Sequence, residues 1–172
     1  MSVIEITKVI VDHCHGEIQG VIELTYDERK KARLKTKTTD GIDLGLFLPR
    51  GNVLPDGCIV ATKNDQYYKI KAKKELIMQA TTDDWVTFST VCYHLGNRHL
   101  TLEIQPLTII FQPDHVLADL CKHYNFKIIE TQLPFNPLNG AYGEFGGHSH
   151  NDGLDHSAER TLANKVTDEH KH

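Results

Sequence analysis

Two stretches of this chain carry residue types that could do chemistry: YHLGNRH at residues 93–99 and GGHSHNDGLDH at residues 146–156. Neutral imidazole is a borderline-soft nitrogen donor suited to nickel, zinc or copper, so two histidine clusters point to a transition metal. The first cluster closes a well-patterned amphipathic segment and has a defined place in a fold. The second lies in sequence too polar to build a core. A fixed donor paired with loose ones suggests a protein that takes up a metal and lets it go. Imidazole ligates only as the neutral base, so such a site should empty as pH falls through the ordinary histidine range, about 6.5.

His99 falls just past the end of an expected helix, where a ring projects from the domain rather than into its core. One imidazole is not a site. Two chains meeting with His99 near a twofold axis would bring the same ring from each subunit together, because such an interface is self-complementary. His94, near but not on the same helical face, either flanks the site or is simply half-exposed. His115 enters the first turn of a second helix as a peripheral ligand or a surface residue, beside Asp114, which is the better N-cap. His123 comes late in that helix, where a partly exposed ring meets the helix end. His148 and His150, one residue apart, could both turn toward an ion at an entropic cost.

The elements that must position these residues fall into three parts. Residues 1–74 read as β: runs at 3–11, 18–26, 32–38, 41–48, 58–63 and 66–72, separated by turn signals at Asp40-Gly41, Pro49-Arg50-Gly51-Asn52 and Pro55-Asp56-Gly57. Many short strands with tight turns predict a small sandwich or open barrel acting as scaffold or partner-binding surface. The charged run KAKKE, 71–75, marks a domain boundary.

Residues 75–138 change pattern. A strand over 76–81 is followed by the N-cap candidates Thr82, Asp83 and Asp84. Phe88, Val91, Cys92 and Leu95 then recur at helical spacing, and Gly96 and Asn97 supply a left-handed C-cap. Strands over 100–104 and 107–111 follow. A helix opens at Pro113-Asp114 and ends at Asn125, and a strand over 126–131 closes the unit. Strand, helix, strand, strand, helix, strand is the split βαβ order of ferredoxin-like domains. The expected fold class is therefore α+β: an N-terminal β domain, a ferredoxin-like domain, and a flexible tail, 139–172, too polar to offset the entropy of ordering it. A transient helix over 158–166 is the most that tail is expected to form.

Composition narrows the function classes. The 172 residues include eleven histidines, and the formal net charge is −4, so no global field draws the protein to nucleic acid or to an anionic membrane. The basic run 29–37 reads as the wet face of a strand. Neither a leader nor an apolar stretch of membrane-spanning length is seen, and a cytoplasmic address is expected. The four cysteines, Cys14, Cys58, Cys92 and Cys121, form no CxxC pair. Cys14, between His13 and His15, is the one thiol placed to bind metal, although packing in a surface loop accounts for it more simply. Catalysis finds no footing: there is no HExxH, no GxSxG and no phosphate-binding GxxxxGK[ST], and Cys92 and Cys121 lie on apolar stripes where burial blunts a thiol. Binding or carriage is the better class.

With these residues in view, the chain resembles the urease accessory nickel metallochaperones, the UreE family. The likeness runs through TTDGIDLGLFLPRG (38–51), VLPDGCIV (53–60), YHLGNRH (93–99) and LNGAYGEFGGHSH (138–150). YHLGNRH is the specific part. The resemblance implies a homodimer formed by the ferredoxin-like domain, with His99 of each subunit as principal Ni(II) ligand. It places His94 and His115 where relatives carry accessory histidines, and His148 and His150 at the start of a metal-gathering tail. It also implies no enzymatic activity, but delivery of nickel to the urease apoprotein complex through an accessory GTPase. This chain departs from relatives that end in a long histidine run, and Pro113 stands where some have a further histidine. Cys58 stands where an acidic residue might follow LPDG. The competing class is a general zinc or copper buffer, Zn(II) or Cu(II) in place of nickel, or a peptide-binding module with incidental histidines.

Overall fold

Alternating apolar residues in the first half generate one sheet. A computed structural model describes residues 3–10, 16–51 and 53–138. It contains strands β1 (Ile4–Ile10), β2 (Ile18–Leu24), β3 (Arg33–Lys37), β4 (Asp43–Phe47), β5 (Ile59–Thr62) and β6 (Tyr67–Ala72), with a short helix α1 (Tyr26–Arg29) after β2. The strands lie in the order β2-β6-β5-β1-β4-β3. Two neighbouring pairs, β1 with β4 and β2 with β6, are parallel, and the rest are antiparallel.

The strands feed a single core, in which Ile6, Ile22, Leu24, Leu44, Leu46, Val60 and Ile70 are fully buried. A lone sheet that buries its own inner face must wrap around it, so of the two expected architectures the open barrel is the one found. The edge strands meet where Thr39 donates its main-chain N–H to Val21 at 2.8 Å. Gly41 and Gly57, at φ +85° and +82°, make the left-handed reversals that two of the expected turns require.

Helix α1 was not expected from the strand-like pattern. Its signal is a capping box, T-x-x-E: Glu28 donates its main-chain N–H to the Thr25 hydroxyl, and the Glu28 carboxylate accepts the Thr25 main-chain N–H at 2.9 Å. It also overturns part of the reading of the basic run. Arg29 is 3% exposed, not on a wet face. Its guanidinium donates to the carbonyls of Leu54 (3.1 Å) and Phe135.

Only Lys73 separates β6 from β7 (Lys74–Thr81), which opens the second sheet. Lys69, Lys71 and Lys74 are exposed positions of these strands, with Ile70, Ala72 and Ile77 buried between and beyond them, while Glu75 is half-buried. Then come α2 (Trp85–Gly96), β8 (Glu103–Gln105), β9 (Thr108–Phe111), α3 (His115–His123) and β10 (Lys127–Pro134). The sheet order is β10-β7-β9-β8 with all pairs antiparallel, which is the ferredoxin-like topology expected. One face packs on the helices through Ala80, Ile109 and Phe111 against Phe88, Val91, Leu95, Leu117 and Cys121. The other presents Ile77 and Ile110 to Tyr26 and Phe135.

Two boundaries differ from expectation. The strand anticipated over 100–104 begins only at Glu103, because the chain first turns at His99 and sends Leu102 into the helical core. β10 runs on to Pro134, paired with β7 along its whole length.

Candidate metal site

Helix α2 is built from its first turn. The Asp84 carboxylate accepts the main-chain N–H of Val86 and Thr87 (3.4 and 2.8 Å), satisfying two of the donors a helix start leaves open. That local bonding holds the Asp84 carboxyl below its ordinary value, the Thr87 hydroxyl first among the causes. Phe88, Val91 and Leu95 bury one face. Outside that stripe the helix also exposes large apolar side chains, Trp85, Val86 and Tyr93 being 58%, 74% and 67% exposed, interspersed with Ser89 and Thr90. Exposed large apolar side chains grouped on one helix are a surface that a partner can cover. The sequence carries this signal in WVTFSTVCYHLG, where Trp85, Val86 and Tyr93 lie off the buried stripe.

The end of α2 corrects the expected cap. Asn97 keeps right-handed φ of −62°, and the left-handed residue is His99, with φ +53°. The last turn tightens through Arg98 N–H to Leu95 O and His99 N–H to Gly96 O (3.1 and 3.0 Å), and the chain reverses at the histidine itself. A left-handed backbone costs a residue bearing a side chain about 1–2 kcal/mol. His99 is exposed, at the end of the helix whose outer face carries Tyr93.

The other candidates are spread out. His94 is half-buried, its ring centroid 5.7 Å from Tyr93 and 5.9 Å from Tyr124. His115 is exposed at the first residue of α3, whose N-cap Asp114 accepts the N–H of Val116 and Leu117. His123 is exposed and edge-on to Tyr124 at 5.5 Å. Among the described residues no three His, Cys, Asp or Glu side chains converge on a common point. His99, His94 and His115 are thus not assembled into one site within a single copy. His148, His150, the transient tail helix and Cys14 with His13 and His15 lie outside the described residues.

Among the described residues the thiols form no donor cluster with other ligating side chains. Burial pushes Cys58 and Cys121 up to about 11 and raises Cys92, so all three stay protonated in neutral solution. No helix among the described residues is long and apolar enough to cross a membrane.

Comparison with known proteins adds a second, independent line. Residues 6–73 match the family model described as UreE urease accessory protein, N-terminal domain, and residues 75–172 match its C-terminal domain. Among similar proteins, the urease accessory protein UreE of Alteromonas mediterranea is 46% identical over 81% of this chain and 90% of its own length. That of Psychromonas ingrahamii is 45% identical over 81% and 93%, and that of Acinetobacter baumannii 38% over 84% and 88%.

Proposed function

Since the chain belongs to the UreE family of urease accessory proteins, we propose that it is a nickel metallochaperone. In this reading it binds Ni(II) between two copies and hands it to the urease maturation complex. Residues 1–74 serve as a β domain, 75–138 as the metal-binding and dimerising domain, and 139–172 as a histidine-bearing tail. One observation carries the reading: an exposed His99, fixed in a left-handed turn, ends a helix whose outer face exposes Trp85, Val86 and Tyr93. A twofold contact along that face covers the apolar stripe and brings two imidazoles to one ion. The helix feature and the ligand feature thus call for the same partner, a second copy.

Two neutral nitrogens, joined by water or by His148 and His150, hold the ion in an open set. His94 and His115 are accessory positions. Few protein donors make release easy, so an accessory GTPase or the urease apoprotein with a fuller ligand set can take the cargo. No bond in a substrate is made or broken. Copper and zinc also accept imidazole, and intrinsic affinities favour copper, so Zn(II) and Cu(II) are competitors to be measured. The expected place of action is the cytoplasm.

The test is calorimetric titration of nickel and zinc into wild type and His99→Ala, with native mass at each step. The expected result is a dimer whose tightest nickel site disappears in the variant while the dimer persists. A monomeric wild type, with or without metal, or an unchanged titration in the variant, overturns the proposal. Truncation after Gly147 should lower the number of ions bound without dissociating the dimer.

A further inference from the structure

The edge strand of a sheet presents unpaired N–H and C=O groups, which pair with another chain unless something blunts them. Among the described residues the two sheets end in β2, β3, β8 and β10. The first three are blunted: the register of β2 shifts between Ile18 and Gly20, β3 carries Arg33, Lys35 and Lys37 at its exposed positions, and β8 is only 3 residues long. The fourth is not.

β10 is 8 residues long and pairs with β7 from Lys127 to Pro134 without a register shift, so no bulge turns it away. Its other side has no strand beside it among the described residues. Lys127 and Pro134, the residue types that guard an edge, stand only at its two ends. Between them Ile129 and Leu133 are 45% and 36% exposed. Both share a face with Thr131, which lies opposite Ile77 of β7, whereas Ile128 packs into the helical core from the other face.

The order of side chains along β10 specifies its partner. When two copies of one strand pair antiparallel about a twofold axis, opposed residues keep to the same face, so the axis passes through a residue that meets itself. Only Glu130 and Thr131 are central enough to engage most of the strand. An axis at Glu130 sets two carboxylates against each other, which is unfavourable. An axis at Thr131 sets threonine against threonine, Ile129 of each copy against Leu133 of the other, and Glu130 of each against Gln132 of the other. Apolar then meets apolar, a carboxylate meets an amide, and Lys127 and Pro134 fall at the margins.

We propose that β10 is a self-association surface, at which a second copy of this chain adds its own β10 antiparallel about an axis at Thr131. The two four-stranded sheets thereby join into one. This contact uses neither α2 nor His99, and it does not depend on the metal site proposed above.

The experiment uses the full-length protein carrying Thr131→Cys or, separately, Glu130→Cys, each oxidised with diamide, which takes up the two electrons and two protons released as two thiols join. Opposed residues of an antiparallel pair have Cα atoms about 4.5–5.5 Å apart, within the span of a disulfide. Peptide mapping by mass spectrometry identifies which positions are linked and so sets the native cysteines aside. The expected result is linkage between copies at position 131 several-fold faster than at position 130. Ile129→Lys combined with Leu133→Lys places like charges against each other across the axis while altering only exposed side chains. Native mass should show chain number rising with protein concentration in wild type and not in this double variant, at equal thermal midpoints. That rise is read from whichever species is present at low concentration, so failure of the metal-site dimer and failure of the β10 contact are told apart. No linkage at position 131, faster linkage at position 130, or the same rise in the double variant would overturn the proposal.

Discussion

Arg29 donates through its guanidinium to the main-chain carbonyl of Phe135, 106 residues further along the chain. The same side chain reaches Leu54 O, while Tyr26 packs edge-on against the Phe135 ring at 5.4 Å and donates its N–H to Glu75 at 2.7 Å. One short helix therefore bonds the first sheet to the second.

Arg29→Ala should destabilise the protein by about 2–3 kcal/mol, because it strips two buried carbonyls of a charged donor. Arg29→Lys should recover little of that, since an ammonium cannot reproduce a planar fork spanning two acceptors. Urea denaturation of the two variants against wild type measures both effects; a loss below the error of extrapolation in Arg29→Ala would show that the bond contributes little.

His99 separates a backbone effect from a ligand effect. His99→Gly should be more stable than His99→Ala by about 1 kcal/mol, because glycine enters the left-handed region without the side-chain penalty. Both should equally lose the nickel site proposed above. Equal thermal midpoints for the two variants would mean that the turn relaxes when the imidazole is removed.

The N-cap of α3 separates the His99 site from the accessory position His115. Asp114→Ala leaves the N–H groups of Val116 and Leu117 without their acceptor and should cost about 1 kcal/mol. The tightest nickel site proposed above should persist, since His99 lies on another element, while any weaker binding that uses the neighbouring His115 should fall. Denaturation and metal analysis of one preparation check both statements.

The buried thiols set an alkaline limit. In the unfolded chain Cys58 and Cys121 ionise near the ordinary 9.0, whereas in the fold burial holds them protonated to about 11. Only the unfolded state gains by ionising between those values, so this contribution to stability is complete below pH 9 and is lost as pH rises toward 11. Stability measured across that window should fall. Site-resolved mass spectrometry should find Cys58 and Cys121 alkylated at pH 8 far more slowly in native than in unfolded protein.

The strand alternation and the caps at Asp84, Asp114 and Asn125 were readable from sequence because each depends on neighbours within a few residues. The strand-helix order also sufficed for the ferredoxin-like topology. Helix α1 escaped because its four residues follow a β-like run, and its Thr25/Glu28 box matters only once Arg29 has somewhere to be buried, which distant Leu54 and Phe135 decide. Conformational preference alone puts the reversal after α2 at Gly96 and Asn97, whereas the chain turns at His99 and buries Leu102 downstream. Of the histidines, His99 was placed correctly past the helix, while the aromatic packing of His94 against Tyr124 depends on a second helix that local spacing does not register.

Lys73 alone spans from one sheet to the next, and its own N–H is tied to Leu24 O at 2.8 Å. A joint with no slack behaves as a calliper. In the dimer proposed above, that joint would hold the two barrels at a fixed spacing.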